Sequence, residues 1–109
     1  MQNWSEDIIL LELPAEPEIG KELKTIVEIA RDEGNRNVIL NFSHVDIITS
    51  AILTKLLKLH KLLTDSVHQL VLCSLAPATR GIFAVTSLDC IFEIVADKSV
   101  ALASMKMVG

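Results

Sequence analysis

The hydrophobic positions of the chain form short, nearly continuous apolar runs separated by longer stretches of mixed polarity. The first run, Asp7–Leu13, ends at Pro14, and runs of the same kind cover Asn37–Phe42 and Gln69–Ser74. Short apolar runs bounded by turn residues are typical of strands that are covered on both faces. A fourth run, Ile91–Val95, alternates only in part. The pattern therefore predicts four strands.

The stretches between these runs carry the signals of helices. The predicted helices are Ile19–Glu33, Ala51–Leu63, Pro77–Val85 and a last one from a cap at Asp97 to about Met105. Gly34 supplies a stop for the first, and Thr49 and Ser50 are N-cap candidates for the second, which ends in the turn residues Thr64–Ser66. Strands that alternate with helices predict an α/β sandwich with a mostly parallel sheet, four- or five-stranded, and about four helices.

Composition narrows the class of protein. The 109 residues suit a single domain over 1–109, and 10 Lys+Arg against 14 Asp+Glu give a net charge of −4. Scattered basic residues in an acidic chain argue against direct nucleic-acid binding. The apolar runs are far shorter than the ~20 residues of a membrane span, and the first residues lack a signal-peptide pattern, so the expected location is the cytoplasm.

Few residues in the sequence suggest catalysis or metal binding. Cys73 and Cys90 lie far apart without metal-ligand spacing, so both are expected to be reduced and packed. Ser43, His44 and Asp46 precede Ser50 and suggest a Ser-His-Asp set, but the chain has neither a G-x-S-x-G elbow nor a phosphate-binding loop. We therefore expect no enzyme, no metal and no cofactor.

The predicted second helix divides into an apolar and a basic face. Its apolar face contains six residues: Ile52, Leu53, Leu56, Leu57, Leu59 and Leu63. Lys55, Lys58 and Lys61 line the other face, with Leu62 projecting among them as an exposed apolar side chain. His60 falls within the apolar arc, where an edge-placed histidine with a hydrogen bond is expected. Lysines around an exposed leucine indicate either a solvated face or a partner surface.

One stretch carries a family resemblance. It runs from the strand Asn37–Phe42 through Ser-His-Val-Asp-Ile-Ile-Thr-Ser-Ala-Ile-Leu into the leucine- and lysine-rich helix, and Ser87–Phe92 follows later. These segments resemble the STAS domain of bacterial anti-sigma factor antagonists, with its strand followed by V-x-f-i-D-S-S-G-L and a late G-L-D-x-i-F signature. The resemblance covers about residues 7–103. It implies a STAS-like sandwich, with residues 1–6 as a shortened first strand.

The resemblance also implies a function. The family's first serine after the aspartate is phosphorylated by a partner serine kinase, and Ser50 falls on that position, with Thr49 as the neighbouring candidate. The expected partner is an anti-sigma factor or a related regulatory serine kinase. The expected partner-binding residues surround this position: Asp46, Thr49, Ser50, Ala51, Thr54, Lys55 and Lys58.

The chain departs from the family pattern at several of these positions. Thr49 stands in place of the aspartate, Ala51 in place of the second serine, Ile52 in place of the glycine, and Asn41 where the strand commonly ends in aspartate. Three hypotheses follow. The first is a non-catalytic signalling module that docks a partner and is switched at Ser50. The others are a constitutive scaffold without phosphorylation, and a small-ligand or enzymatic domain that uses a strand-end cleft near Asn41, Asp46 and Ser50.

Overall fold

The protein is built around one five-stranded sheet whose strands follow one another in chain order. A computed structural model describes residues 2–3, 8–15, 17–32 and 37–106. The strands are β1 Gln2–Asn3, β2 Ile8–Glu12, β3 Asn37–Asn41, β4 Leu70–Cys73 and β5 Glu93–Val95. β1 pairs antiparallel with β2, and every later pair is parallel. The expected α/β fold with a mostly parallel sheet is confirmed, and β1 falls in the segment where the resemblance implies a short first strand.

Within the described residues, four α-helices cover the two faces of the sheet. They are α1 Glu18–Asp32, α2 Ser50–Asp65, α3 Pro77–Val85 and α4 Lys98–Lys106. α1, α2 and α3 contribute buried apolar residues to one core cluster, whereas α4 contributes to the cluster on the opposite face. Asp97 caps α4, since its Oδ1 accepts a hydrogen bond of 3.0 Å from the backbone N–H of Val100. Among the described residues, no helix is both long and apolar enough to cross a membrane.

The central strand β3 is apolar on both faces because both faces are covered. Val38 and Leu40 are buried in the larger cluster, and Ile39 is buried in the cluster beneath α4. This explains why the strand runs in the sequence are continuous rather than alternating. The parallel arrangement brings the carboxyl ends of β2, β3 and β4 to one edge, where the chain enters α2.

Helix and strand boundaries differ from the predictions by a few residues. α2 starts at Ser50 and continues through Thr64 and Asp65. The cap at its end is Ser66, whose backbone N–H is hydrogen-bonded to carbonyls of the last turn. Thr64–Ser66 were expected to form the turn that ends the helix, but Thr64 and Asp65 still belong to α2, and only Ser66 lies in the turn, where it satisfies free carbonyls of the last helical turn. The predicted stop at Gly34 lies outside the described residues.

The predicted strand Ile91–Val95 is wrong over its first half. Leu88–Cys90 form a 3₁₀ turn, and β5 begins only at Glu93. Ser87, just before the turn, adopts a φ of 61°, the left-handed region that favours glycine. The matching family signature has glycine at this position, so the local backbone explains that preference. Phe92 then enters the core between β5 and the turn, which is why the apolar run is not a strand throughout.

The two cysteines have different environments. Cys73 ends β4 in the core beneath α4, and burial is the main reason that the pKa of its thiol is raised above the ordinary value. Cys90 is exposed on the 3₁₀ turn, so the expectation that both thiols are packed is wrong for Cys90. A raised pKa keeps Cys73 in its thiol form at neutral pH, which makes it an inert core residue.

Candidate partner-binding surface at the start of α2

The connection from β3 to α2 is held by backbone and side-chain hydrogen bonds at the edge of the sheet. The backbone N–H of Phe42 donates to the carbonyl of Cys73 at 2.9 Å, which extends the pairing beyond β3. Asn41 is 7% exposed, and its Oδ1 accepts a 2.9 Å bond from the N–H of Ser43. Asn41 therefore fixes the first turn of the connection. Its carbonyl oxygen faces this turn and not an open cleft.

Two buried side chains fasten the rest of the connection to the core. Val45 and Ile48 both pack in the larger core cluster, and the N–H of Val45 donates to the carbonyl of Phe42 at 2.9 Å. Because Val45 and Ile48 are anchored in the core before and after it, Ile47 projects outward and is 71% exposed. Sequence reasoning did not single out Ile47, because the pair Ile47-Ile48 does not reveal which of two β-branched residues faces the core.

The first turn of α2 is capped by Thr49. Its Oγ1 accepts a 3.3 Å hydrogen bond from the backbone N–H of Ile52, and its backbone is extended, as an N-cap residue requires. Ser50 is the first helical residue, so the prediction that it lies at the amino end of a helix is confirmed. Of the two candidate hydroxyls, only that of Thr49 performs the capping.

Substitution of the two hydroxyl residues should separate their roles in stability. We expect Thr49→Ala to lower the free energy of unfolding by about 1 kcal/mol, because the N–H of Ile52 loses its side-chain acceptor. Ser50→Ala should change it by less than about 0.5 kcal/mol, since no cap is removed. Urea unfolding followed by circular dichroism measures both. Equal losses in the two variants would contradict this assignment of the cap.

The hydroxyls of Ser50 and Thr49 have different hydrogen bonding. Ser50 is exposed, and within the described part of the chain its side chain has no hydrogen-bond partner. Its carbonyl accepts a 3.0 Å bond from the hydroxyl of Thr54 one turn later. The two hydroxyls therefore differ in their environment, since Thr49 Oγ1 accepts the capping hydrogen bond from Ile52.

The expected partner-binding residues lie around this helix start. Asp46, Thr49, Ser50, Ala51, Thr54 and Lys58 are exposed, and Lys55 is half-buried. Ser50, Thr54 and Lys58 follow one another at four-residue intervals, so they form one stripe along the solvent face of α2. Together with Ile47, these residues lie between Asp46 and Lys58 in the sequence. They combine one exposed apolar side chain, Ile47, with an acidic residue, Asp46, and basic residues at the end of the segment.

The two faces of α2 differ in part from the prediction. Ile52, Leu56, Leu59 and Leu63 are buried, as expected. Leu57, assigned to the apolar face, is 39% exposed, whereas Leu62, expected among the lysines as an exposed residue, packs against the core. An isolated helical wheel does not include the elements that pack against α2, α1 among them, so it does not predict the partial burial of Leu62. His60 is half-buried and contacts the ring of Phe92 edge-on at 5.3 Å.

The side chains suggested for catalysis are not assembled into a catalytic set. Ser43, His44 and Asp46 are all exposed, and the Nε2 of His44 lies 3.7 Å from a carboxylate oxygen of Glu12. A shallow hollow beside the connection is lined by Ala15, Val45, Asp46 and Ile47, but by neither Asn41 nor Ser50.

The described residues also contain no group of three or more His, Cys, Asp or Glu side chains placed to hold a metal ion.

Comparison with known proteins shows the family to which this chain belongs. The STAS domain family model matches residues 17–101, and the chain therefore belongs to the STAS domain family. A curated relative, the "Putative anti-sigma factor antagonist BtrV" of Bordetella bronchiseptica, is 35% identical over 87 residues, which cover 80% of this chain and 75% of the relative.

Solved structures confirm the fold. An anti-sigma-factor antagonist (STAS) domain protein from Planctomyces limnophilus superposes with a TM-score of 0.79 at 20% identity, covering 91% of either chain. The phosphorylated form of the Bacillus cell fate determinant SpoIIAA superposes with a TM-score of 0.72 at 14% identity, covering 95% of this chain and 96% of SpoIIAA. The family resemblance inferred from the sequence is thus confirmed.

Proposed function

We propose that the protein is a non-catalytic signalling module of the anti-sigma factor antagonist type. It docks an anti-sigma factor or a related regulatory serine kinase through the surface around the start of α2, and phosphorylation of Ser50 releases that partner. The observation that carries the proposal is that an exposed apolar side chain, Ile47, and an exposed hydroxyl, Ser50, lie three positions apart at the start of α2. Because the proposed partner is a cytoplasmic regulator, the proposed location of this protein is the cytoplasm.

Ile47 supplies the apolar contact that a docking surface needs. Well-packed apolar residues at the centre of an interface contribute most of its binding energy, with polar residues at the rim. Along the chain, Ile47 is flanked by polar residues: Asp46 precedes it, and the stripe from Ser50 to Lys58 follows it. Because Val45 and Ile48 already fix the backbone in the core, little conformational entropy is lost when a partner covers Ile47.

Ser50 supplies the switch. A phosphate there would lie at the amino end of α2, where unpaired N–H groups and the helix dipole favour negative charge, so the helix itself is preserved. The same phosphate adds up to about two negative charges to the docking surface. The partner that fits the neutral serine would then meet an unpaired, desolvated charge, which weakens binding without unfolding the domain.

The constitutive scaffold remains the second candidate. The observation that favours it is the departure from the family motif at Thr49, Ala51 and Ile52, three residues that surround Ser50. In that case the docking surface would be the same, but the kinase would not modify Ser50. The two candidates differ only in the covalent state of Ser50, so mass spectrometry of the protein from its native cells, with the modified site mapped, separates them.

Truncation of Ile47 tests the docking surface. We expect Ile47→Ala to weaken binding to the purified cognate anti-sigma factor at least about tenfold, because a central apolar contact is lost. Its stability should change by less than about 0.5 kcal/mol, since the side chain is exposed. Val85→Ala is the matched control, because Val85 is 84% exposed at the far end of α3. Calorimetric titration of both variants measures the effect, and equal affinities would contradict this surface.

A further inference from the structure

A groove between α1 and α2 gathers much of the chain's positive charge. Lys24 and Arg31 border it on α1, and Lys55 and Lys58 border it on α2. The protein as a whole carries a net charge of −4. Such a local excess of positive charge creates a positive potential at the groove, which attracts anionic ligands although the whole protein is acidic. Glu28 is the one acidic residue among the described residues that line the groove.

The four cations of the groove have no ion-pair partner among the described residues. Among the described residues the ion pairs are those of His44 with Glu12 and of Lys61 with Asp65. Within the same described ranges, none of the four groove cations forms an ion pair or a side-chain hydrogen bond. Three of the four are exposed, and Lys55 is half-buried. Their charges are therefore available to a ligand rather than neutralised by the fold.

The shape of the groove suits an extended chain. Lys24 and Arg31 are seven residues apart on α1, which corresponds to about 10 Å along a helix. An extended peptide spans this distance with three to four residues, each rising about 3.3 Å. The buried side chain of Val27 forms an apolar floor between the basic borders, and Thr54 adds a hydroxyl. Acidic side chains on the peptide can then reach cations on both helices.

We propose that this groove binds an acidic segment of a protein partner. The inference rests on the proposed function in one respect: the segment is assigned to the partner that docks at the start of α2, since Thr54, Lys55 and Lys58 belong to both surfaces. The groove extends the docking surface onto α1 and makes binding salt-dependent. It thereby selects, among partners of one type, those with carboxylates beside their contact to Ile47.

The test uses a defined peptide and does not require the partner. Blocked hexaglutamate is titrated into ¹⁵N-labelled protein at low salt, and amide shifts are mapped. We expect shifts in α1 around residues 24–31 and in α2 around residues 54–58, which weaken as salt is raised. Lys24→Gln with Lys58→Gln should lower the affinity about fivefold. Lys21→Gln with Lys98→Gln removes the same charge outside the groove and should lower it less than twofold.

Removal of a negative charge from the groove gives a second, independent measurement of affinity for the peptide. Glu28→Gln removes the one carboxylate among the described lining residues, so affinity for hexaglutamate should rise, whereas Glu18→Gln, outside the groove, should have little effect. Absence of shifts in the groove, equal losses in both lysine double variants, or tighter binding of inorganic phosphate or ATP than of peptide would overturn the proposal. Ile47→Ala should leave peptide binding unchanged, so failure of the groove and failure of the docking surface are distinguishable.

Discussion

Ser50→Asp is expected to weaken binding of the cognate anti-sigma factor by about 30- to 4000-fold. The range follows from the roughly 2–5 kcal/mol that an unpaired charge costs when it is buried at an interface. The domain itself should remain folded. Ser50 occupies the first turn of α2, where a carboxylate interacts favourably with the helix dipole, and Thr49 retains the capping hydrogen bond.

Ser50→Ala is the matched variant for this experiment, because it removes the hydroxyl without adding charge. We expect it to bind the partner within about threefold of the wild type and to unfold at the same urea concentration. Calorimetric titration and urea unfolding of both variants give the required pair of measurements. If the aspartate and alanine variants bind equally well, the switch at Ser50 is refuted and the constitutive scaffold is favoured.

Phe92→Ala is expected to lower the free energy of unfolding by about 3–5 kcal/mol, the range for a large aromatic residue removed from a core. Phe92 is buried against two rings, with its centroid 5.3 Å from that of His60 and 5.7 Å from that of Phe83. Its loss would therefore leave a cavity where α2, α3 and the 3₁₀ turn meet. Both ring pairs are edge-on, the arrangement that adds to the stabilisation from burial.

The residue next to Phe92 provides the control. Ile91 is exposed, so Ile91→Ala should change the free energy of unfolding by less than about 0.5 kcal/mol, although it removes an apolar side chain from the same segment. Should Phe92→Ala fail to fold, Phe92→Leu keeps part of the volume and should cost less. Urea unfolding measures all three. Similar losses at both positions would mean that the segment, and not the packing of Phe92, determines stability.

The periodic parts of the sequence were enough to predict the architecture. The helix α3 was predicted with its observed bounds, Pro77–Val85, because proline marks its first turn. The cap at Asp97 was predicted because its carboxylate is a local signal that needs no tertiary information. β3 was predicted from its continuous apolar run, since a strand covered on both faces has no polar side.

The errors occurred where a residue's environment is set by a distant part of the chain. Leu62 packs against the larger core cluster, and Phe92 contacts one ring on α2 and one on α3, so neither position follows from the spacing within its own segment. At the candidate site, the sequence indicated Thr49 and Ser50 together. It did not indicate that the side chain of Thr49 caps the helix while Ser50 is the first helical residue. Ile47 was missed because Ile47 and Ile48 are residues of the same type, and only the tertiary packing determines that Ile48 is the buried one.

The consecutive order of the strands has a consequence for how the chain folds. Each strand pairs with its neighbour in sequence, and the widest separation among the described pairs is that between Val38 and Leu70. No strand has to be inserted between two others after they have paired. Loop closure then proceeds one β-α unit at a time, and each parallel pairing joins residues 22 to 32 positions apart, the kind of non-local contact that slows folding. The helix that carries Ser50 lies in the connection between β3 and β4, so the pairing of these two strands closes the loop that contains it.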